Sequence, residues 1–357
     1  MDELGRLDEL PADYRAALQQ AHLVPLWPSL RALLPPGQPR PATRPMHWAY
    51  EALRPLLMQA GTLTPIEKAE RRVLVLANPG FGPGSLQASA AMYLGMQLLL
   101  PGEWAPSHRH TPNAVRMVVE GEGAYTTVQG ERCPMRRGDL ILTPTGLWHE
   151  HGHDGTKPVV WLDVLDLPLV HYLEASYHEP GGRQAVHGAA SGPLCPEGLR
   201  PAPGFQREGG RYPLLRYPWT DARAALLALG ERRPGEAAVQ LEYVNPATGG
   251  PAQNILGFHA LMLRPAQRLA LPARSPAAVF HLIEGTAEAR VGETTFRLAE
   301  ADTCCAPGFT PVQLANRSAD RPAFIFVADE SPLHEKLGLL QTRSVPGASF
   351  PSTLDAA

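Results

Sequence analysis

The pattern of apolar positions changes character near residue 70. Before it, Leu7, Leu10, Tyr14 and Leu18 recur at helical spacing, and the run LLPPGQPRPATRP then interrupts any regular element with proline. From ERRVLVLANPG onward, short runs of Val, Leu and Ile alternate with Gly and Pro, which predicts closely spaced strands. The densest stretches are residues 88–175 and 236–332; between them, residues 178–235 are rich in Gly, Pro and Arg, with one helical pattern near Asp221–Leu229. The predicted organisation is an N-terminal helical or irregular arm (1–85), a first β-domain (86–177), a linker (178–235), a second β-domain (236–335) and a tail (336–357).

The two β-stretches repeat one another. MVVEGEGAYTTVQGERCPMRRGDLILTP (Met117–Pro144) aligns with HLIEGTAEARVGETTFRLAEADTCCAP (His281–Pro307). In each, a hydrophobic strand ends in Glu-Gly, a hairpin follows, and a Gly-Asp or Ala-Asp turn leads to a strand closed by proline. Two copies of one all-β domain follow, and 357 residues suffice for two cores of ordinary size. The 38 prolines and 33 glycines suit many short strands better than long helices.

A formal net charge of −3 gives no general attraction to nucleic acid or to an anionic membrane, so a small molecule is the expected partner. The acidic start MDELGRLDEL lacks the basic and apolar regions of a signal peptide, and no long apolar run occurs; the expected location is the cytoplasm. Cys133, Cys195, Cys304 and Cys305 show no CxxC spacing and read as reduced thiols.

Candidate chemistry lies in the first repeat. In PGEWAPSHRH, His108 and His110 alternate with one residue, so on a strand both leave the same face, about 7 Å apart. That pair alone is also compatible with a plain polar face. Around it, Gly102, His108, His110 and Gly121, followed by Gly138, Pro144, Gly146 and His149, match the two motifs of the cupin family, which this stretch resembles. The resemblance implies two double-stranded β-helix (jelly-roll-like) domains. The glutamate of the first motif falls at Ala114 and the asparagine of the second at His153, leaving a triad of neutral imidazoles, His108, His110 and His149. Three neutral ligands leave a divalent ion its full charge and open positions, which favours a chelating anionic substrate. In the second repeat the triad maps to Leu271, Ala273 and Val312, so that domain is expected to be metal-free, although Asn316 keeps the asparagine position.

Arg116 lies two residues past the vacated glutamate position and so points into the same cavity, where a substrate carboxylate would satisfy it; pairing with a carboxylate such as Glu120 is the structural alternative. His151 shares the face of His149 if the strand continues, and reads either as an acid or base near the metal or as an exposed histidine of the polar HEHGHD turn.

The runs ERRVLVLANPG, AAMYLGMQLLLPGEWAPSHRHTPNAVRMVVEGEGAYTTVQGE and GDLILTPTGLWHEHG, with PVVWLDVLDLPLV after them, are similar to the gentisate 1,2-dioxygenase family, which includes salicylate and 1-hydroxy-2-naphthoate dioxygenases. The resemblance implies a homo-oligomer, often a tetramer, with one Fe(II) per chain on the first cupin, O2 as co-substrate, and gentisate opened to maleylpyruvate. It further implies that Arg72 and Arg116 bind substrate or order the pocket, that Tyr93 and Gly95 line it, and that His151 and Asp163 stand behind it. Tyr93 leans toward gentisate. Trp104 and Val164 depart from the family pattern and bring pocket shape into question. Salicylate or 1-hydroxy-2-naphthoate cleavage by the same site, and a cupin that holds a metal or aromatic acid without turnover, are the competing expectations.

Overall fold

The computed structural model describes residues 4–187 and 213–343. Cys195, much of the expected linker and most of the expected tail lie outside the described residues. The chain divides into two compact units at Ala42/Thr43. The first contains short helices, Ala12–Gln20 and Leu30–Leu33, with Val24 and Leu34 exposed.

The second unit is built on strands. In chain order they are β1 (Met46–Trp48), β2 (Arg72–Val75), β3 (Tyr93–Leu99), β4 (Trp104–His110), β5 (Ala114–Glu120), β6 (Glu122–Val128), β7 (Glu131–Arg136), β8 (Leu140–Thr143), β9 (His149–His153), β10 (Val159–Leu165) and β11 (His178–Pro180). There follow β12 (Arg216–Tyr217), β13 (Ala238–Glu242), β14 (Gly257–Leu263), β15 (Arg268–Leu271), β16 (Ala273–Arg274), β17 (Ala278–Glu284), β18 (Ala287–Val291), β19 (Thr294–Leu298), β20 (Thr303–Ala306), β21 (Val312–Ala315), β22 (Ala323–Asp329) and β23 (Thr342–Arg343).

The first repeat folds as two facing antiparallel sheets, β12-β8-β5-β10-β3-β2 and β11-β4-β9-β6-β7; the second as β1-β20-β17-β22-β14-β13 and β15-β21-β18-β19. This is the all-β, two-cupin architecture that the repeated motifs imply. Half of the eight edges of these sheets are drawn from outside the dense stretches: β1 and β2 come from residues read as the arm, and β11 and β12 from residues read as the linker. An uncovered edge would present unpaired N–H and C=O groups, and these short segments pair with it. The helical pattern near Asp221–Leu229 is a helix spanning Trp219–Arg232.

One apolar cluster packs the outer faces of the two barrels, from Leu94, Met96 and Met117 to Phe258, Phe324 and Phe326, while a smaller one fills the second barrel around Phe280, Leu282 and Leu314. Strand alternation explains this: Leu94, Met96 and Leu98 turn outward from the first barrel and are buried, while Tyr93, Gly95 and Gln97 turn inward.

The repeat extends to the turns. Leu271 pairs with Val312 as His108 pairs with His149, and Phe309, at the place of Gly146, adopts the same left-handed backbone (φ 57° against 73°). His153 and Asn316 do the same work. His153 Nε2 donates to Lys157 O at 2.6 Å and its Nδ1 accepts Gly155 N–H at 3.0 Å. Asn316 Nδ2 donates to Arg321 O at 2.7 Å and its Oδ1 accepts Ser318 N–H at 2.9 Å. Either side chain closes the turn after its strand.

Candidate metal centre

β4 and β9 are antiparallel neighbours, and their register sets the site. Ala105 lies opposite His151 and His108 opposite His149, so β4 carries one residue more than β9 over this interval, a bulge at Pro106–Ser107. Beyond the bulge, His108 and His110 face inward with His149. One donor nitrogen from each can be chosen so that all lie within 4.8 Å of one another.

Backbone carbonyls hold the rings. Nδ1 of His110 bonds to Pro112 O at 2.7 Å, and Nδ1 of His149 to Leu147 O at 2.9 Å. A carbonyl only accepts, so each Nδ1 carries the proton and each Nε2 keeps its lone pair. His149 Nε2 is buried without a hydrogen-bond partner. Burial, more than any other cause, keeps the imidazoles neutral: His108 is lowered to about 2 and His110 to about 4, and His149 lies well below its usual range, with Arg116 depressing all of them further. Three convergent neutral imidazoles, one with an orphaned inward nitrogen, fit a divalent transition metal.

Further in, His151 is fully buried rather than exposed in a polar turn. Its Nδ1 is 2.9 Å from Thr126 Oγ1, its Nε2 has no partner, and its ring packs at 5.4 Å on Trp161. Arg116 sits opposite Asp163, which sits opposite Gly95, one row across β5, β10 and β3. Arg116 is therefore paired with Asp163, Nε to Oδ1 at 3.2 Å, without the alignment of a hydrogen bond, and its Nη1 donates to Thr143 Oγ1 at 2.9 Å. Glu120, the alternative partner, is taken by Arg54 and Tyr50. Burial pushes the Asp163 carboxyl up to about 6, against the pull of Arg116 and of the Trp161 Nε1–H donated to Oδ2 at 3.1 Å.

Tyr93 shares the inward face with Gly95, and a Cβ on Gly95 would fall 2.6 Å from the Tyr93 hydroxyl, so the glycine makes room for the ring. Burial, then Asp163, raises the Tyr93 phenol above its ordinary value.

Arg72 is not brought to this interior: its guanidinium pairs with Glu103 and donates to Gly61 O at 3.0 Å. Its neighbour Arg71 is brought there. Arg71 Nη2 touches His108 Nδ1 and donates to Pro106 O at 3.1 Å, and burial lowers it to about 10. His178, on the edge strand paired with His110, lies 5.1 Å from the His108 ring. Sequence reading missed both; the Arg-Arg pair at 71 and 72 was a signal for the first, and nothing marked the second. Trp104 and Val164 do not shape the interior. Trp104 lies opposite Gly152, and Val164 opposite Leu94 and Val115, on the outer faces of their sheets; the bulge turns Ala105 inward instead.

Fold and site together define a cupin with one three-histidine metal centre among the described residues. The cupin-domain family model matches residues 95–165. The chain is 69% identical over 342 residues, 96% of both chains, to a gentisate 1,2-dioxygenase of a Ralstonia species. It is 33% identical to a 5-aminosalicylate 1,2-dioxygenase of a Comamonas species, over 96% of this chain and 91% of that one. Among solved structures, salicylate 1,2-dioxygenase from Pseudoaminobacter salicylatoxidans, studied as adducts with gentisate, superposes with a TM-score of 0.85 at 32% identity, covering 95% of each chain. The chain belongs to the gentisate 1,2-dioxygenase family.

Proposed function

We propose that the chain is a ring-cleaving dioxygenase that opens gentisate between its carboxylated carbon and the adjacent hydroxylated carbon, inserting both atoms of O2 to give maleylpyruvate. The observation that carries this reading is charge. The buried interior beside three neutral imidazoles holds two guanidinium groups, Arg71 and Arg116, and one carboxylate, Asp163. With a divalent ion added, that interior is strongly cationic and matches a chelating hydroxy-carboxylate.

We assign iron to His108, His110 and His149; bound there, Fe(II) supplies a chelating centre for the substrate and the redox chemistry of O2. Arg116 and Arg71 take the substrate carboxylate by charge-assisted hydrogen bonds. Tyr93 and Gly95 bound the ring. In the tautomer whose Nδ1 donates to Thr126, His151 presents an Nε2 lone pair that accepts a hydrogen bond from the phenolic O–H and orients it, while burial and then Arg116 hold the ring in its neutral form. Asp163 holds Arg116 in place.

No helix among the described residues is long and apolar enough to cross a membrane. Cys133, Cys304 and Cys305 are free and buried, which supports a cytoplasmic location. Exposed Val24, Leu34, Tyr172 and Leu173 support association of copies, with a homotetramer as our reading.

The test is catalytic efficiency on gentisate, salicylate and 1-hydroxy-2-naphthoate at equal iron loading, following O2 consumption and ring-opened product. Gentisate should be the best of the three. No O2 consumption with any of them would refute turnover and leave a binding protein.

A further inference from the structure

Gln253 lies between β13 and β14, in the half of the chain that builds the second barrel, and is 4% exposed. Its Nε2 donates at 2.9 Å to the carbonyl of Ala114, the residue at the vacated glutamate position of the first barrel. That carbonyl also accepts the Thr143 hydroxyl at 3.2 Å, and Thr143 Oγ1 accepts Arg116 Nη1 at 2.9 Å. The directions agree: the single hydroxyl proton goes to Ala114 O, which leaves a lone pair on Thr143 for the guanidinium. The amide orientation is also determined, because turning it over would set Oε1 against the Ala114 oxygen. Gln253 Oε1 stays buried without a partner. An apolar residue of similar size would avoid that penalty, so packing alone does not account for a glutamine here.

We propose that Gln253 is a positioning residue for Arg116, acting through Ala114 and Thr143, so that the half of the chain with the metal-free barrel helps set carboxylate binding in the other. The inference rests on the reading of Arg116 as a carboxylate ligand. It gives the second barrel a part in the site beyond packing.

The experiment measures the dissociation constant of gentisate without O2, together with metal content and melting temperature, for Arg116→Ala, Gln253→Leu, Thr143→Val and the double variant Arg116→Ala/Gln253→Leu. Gln253→Leu and Thr143→Val should each weaken gentisate binding about 5- to 10-fold, the scale of one neutral hydrogen bond, with metal content unchanged. In the Arg116→Ala background the Gln253 substitution should add almost nothing. Gln253→Met keeps much of the shape and removes the N–H donor without adding an acidic proton or a charge, and should weaken binding as well if the leucine variant does not fold. If Arg116→Ala weakens binding while Gln253→Leu and Gln253→Met do not, or if Gln253→Leu costs as much with Arg116 gone, the positioning role is overturned. If Arg116→Ala itself leaves binding unchanged, the carboxylate reading fails and the role of Gln253 falls with it.

Discussion

Arg71 and Arg72 are neighbours in sequence and opposites in structure. Arg72 leaves the start of β2 toward Glu103, and its side chain is 1% exposed against 18% for the carboxylate. Removing the guanidinium strands a largely buried charge, so Arg72→Ala should cost about 3–5 kcal/mol in a denaturant titration. Arg71 reaches the metal centre, so Arg71→Ala should instead weaken gentisate binding and leave the unfolding midpoint nearly in place. Finding the two phenotypes exchanged would show that the structure has the wrong arginine inside. Trp104 is a second residue whose side decides its effect. On the outer face, its replacement by leucine should not alter the ratio of efficiencies on gentisate and salicylate, whereas Ala105→Val, on the inner face beside His151, should. A changed ratio in Trp104→Leu would move the bulge.

That bulge is the element-scale reason for what the sequence conveyed and what it withheld. The triad was legible because its motif spacing encodes the two strands and the turn around His149 directly. The inward face of Arg116 was also legible, since two residues on β5 preserve the face. Trp104 was not, because the one extra residue at Pro106–Ser107 reverses the alternation and no local signal announces it. Asp163 as the partner of Arg116, and Gln253 behind it, depend on pairings 47 and 139 residues apart or on chains of contact that no short window contains. The second barrel keeps the regular register, with Leu269 opposite Leu314 and Leu271 opposite Val312, and Pro272 divides β15 from β16 before Ala273. Apolar residues on an unbulged strand offer no donors, so elemental analysis should find a single ion per chain, and none after His149→Ala. A second ion that survives His149→Ala would show that the second barrel binds metal after all.

At the scale of the molecule, the two barrels are joined by buried polar contacts as well as by a common core. Glu330, beside the end of β22, accepts Ser89 Oγ at 2.6 Å and Ala91 N–H at 3.1 Å from the first half, and Ala277 N–H at 3.1 Å from the second. Asp139 holds Arg216 and the N–H of Trp219, and Trp219 Nε1 donates to Glu284 at 2.7 Å, so the helix Trp219–Arg232 bridges both repeats. Stress placed on one barrel is therefore felt by both, and the buried histidines place such a stress as pH falls. In the fold His108 and His110 are lowered to about 2 and 4, and His149 and His151 lie well below their usual value of 6.5, burial being the largest cause for each. Below pH 6.5 the unfolded chain therefore binds protons that the folded chain refuses. Stability must fall with pH from there downward, by on the order of 1 kcal/mol per pH unit for each such group. Asp163 acts in the opposite sense: its folded value is raised to about 6, so its contribution is full at low pH and is lost as pH rises through that value. Asp166, also raised by burial, acts in the same sense as Asp163, and His281 in the second barrel, lowered by burial to about 3, adds a fifth imidazole; two carboxyls offset at most two of five, so the histidines set the sign. Melting temperatures of the metal-free protein between pH 8 and 5 should be level above about pH 7 and decline steadily below 6.5. His151→Phe should make the decline shallower. A metal-free protein whose melting temperature stays level through pH 6.5 and below would mean that these rings are not buried as neutral imidazoles.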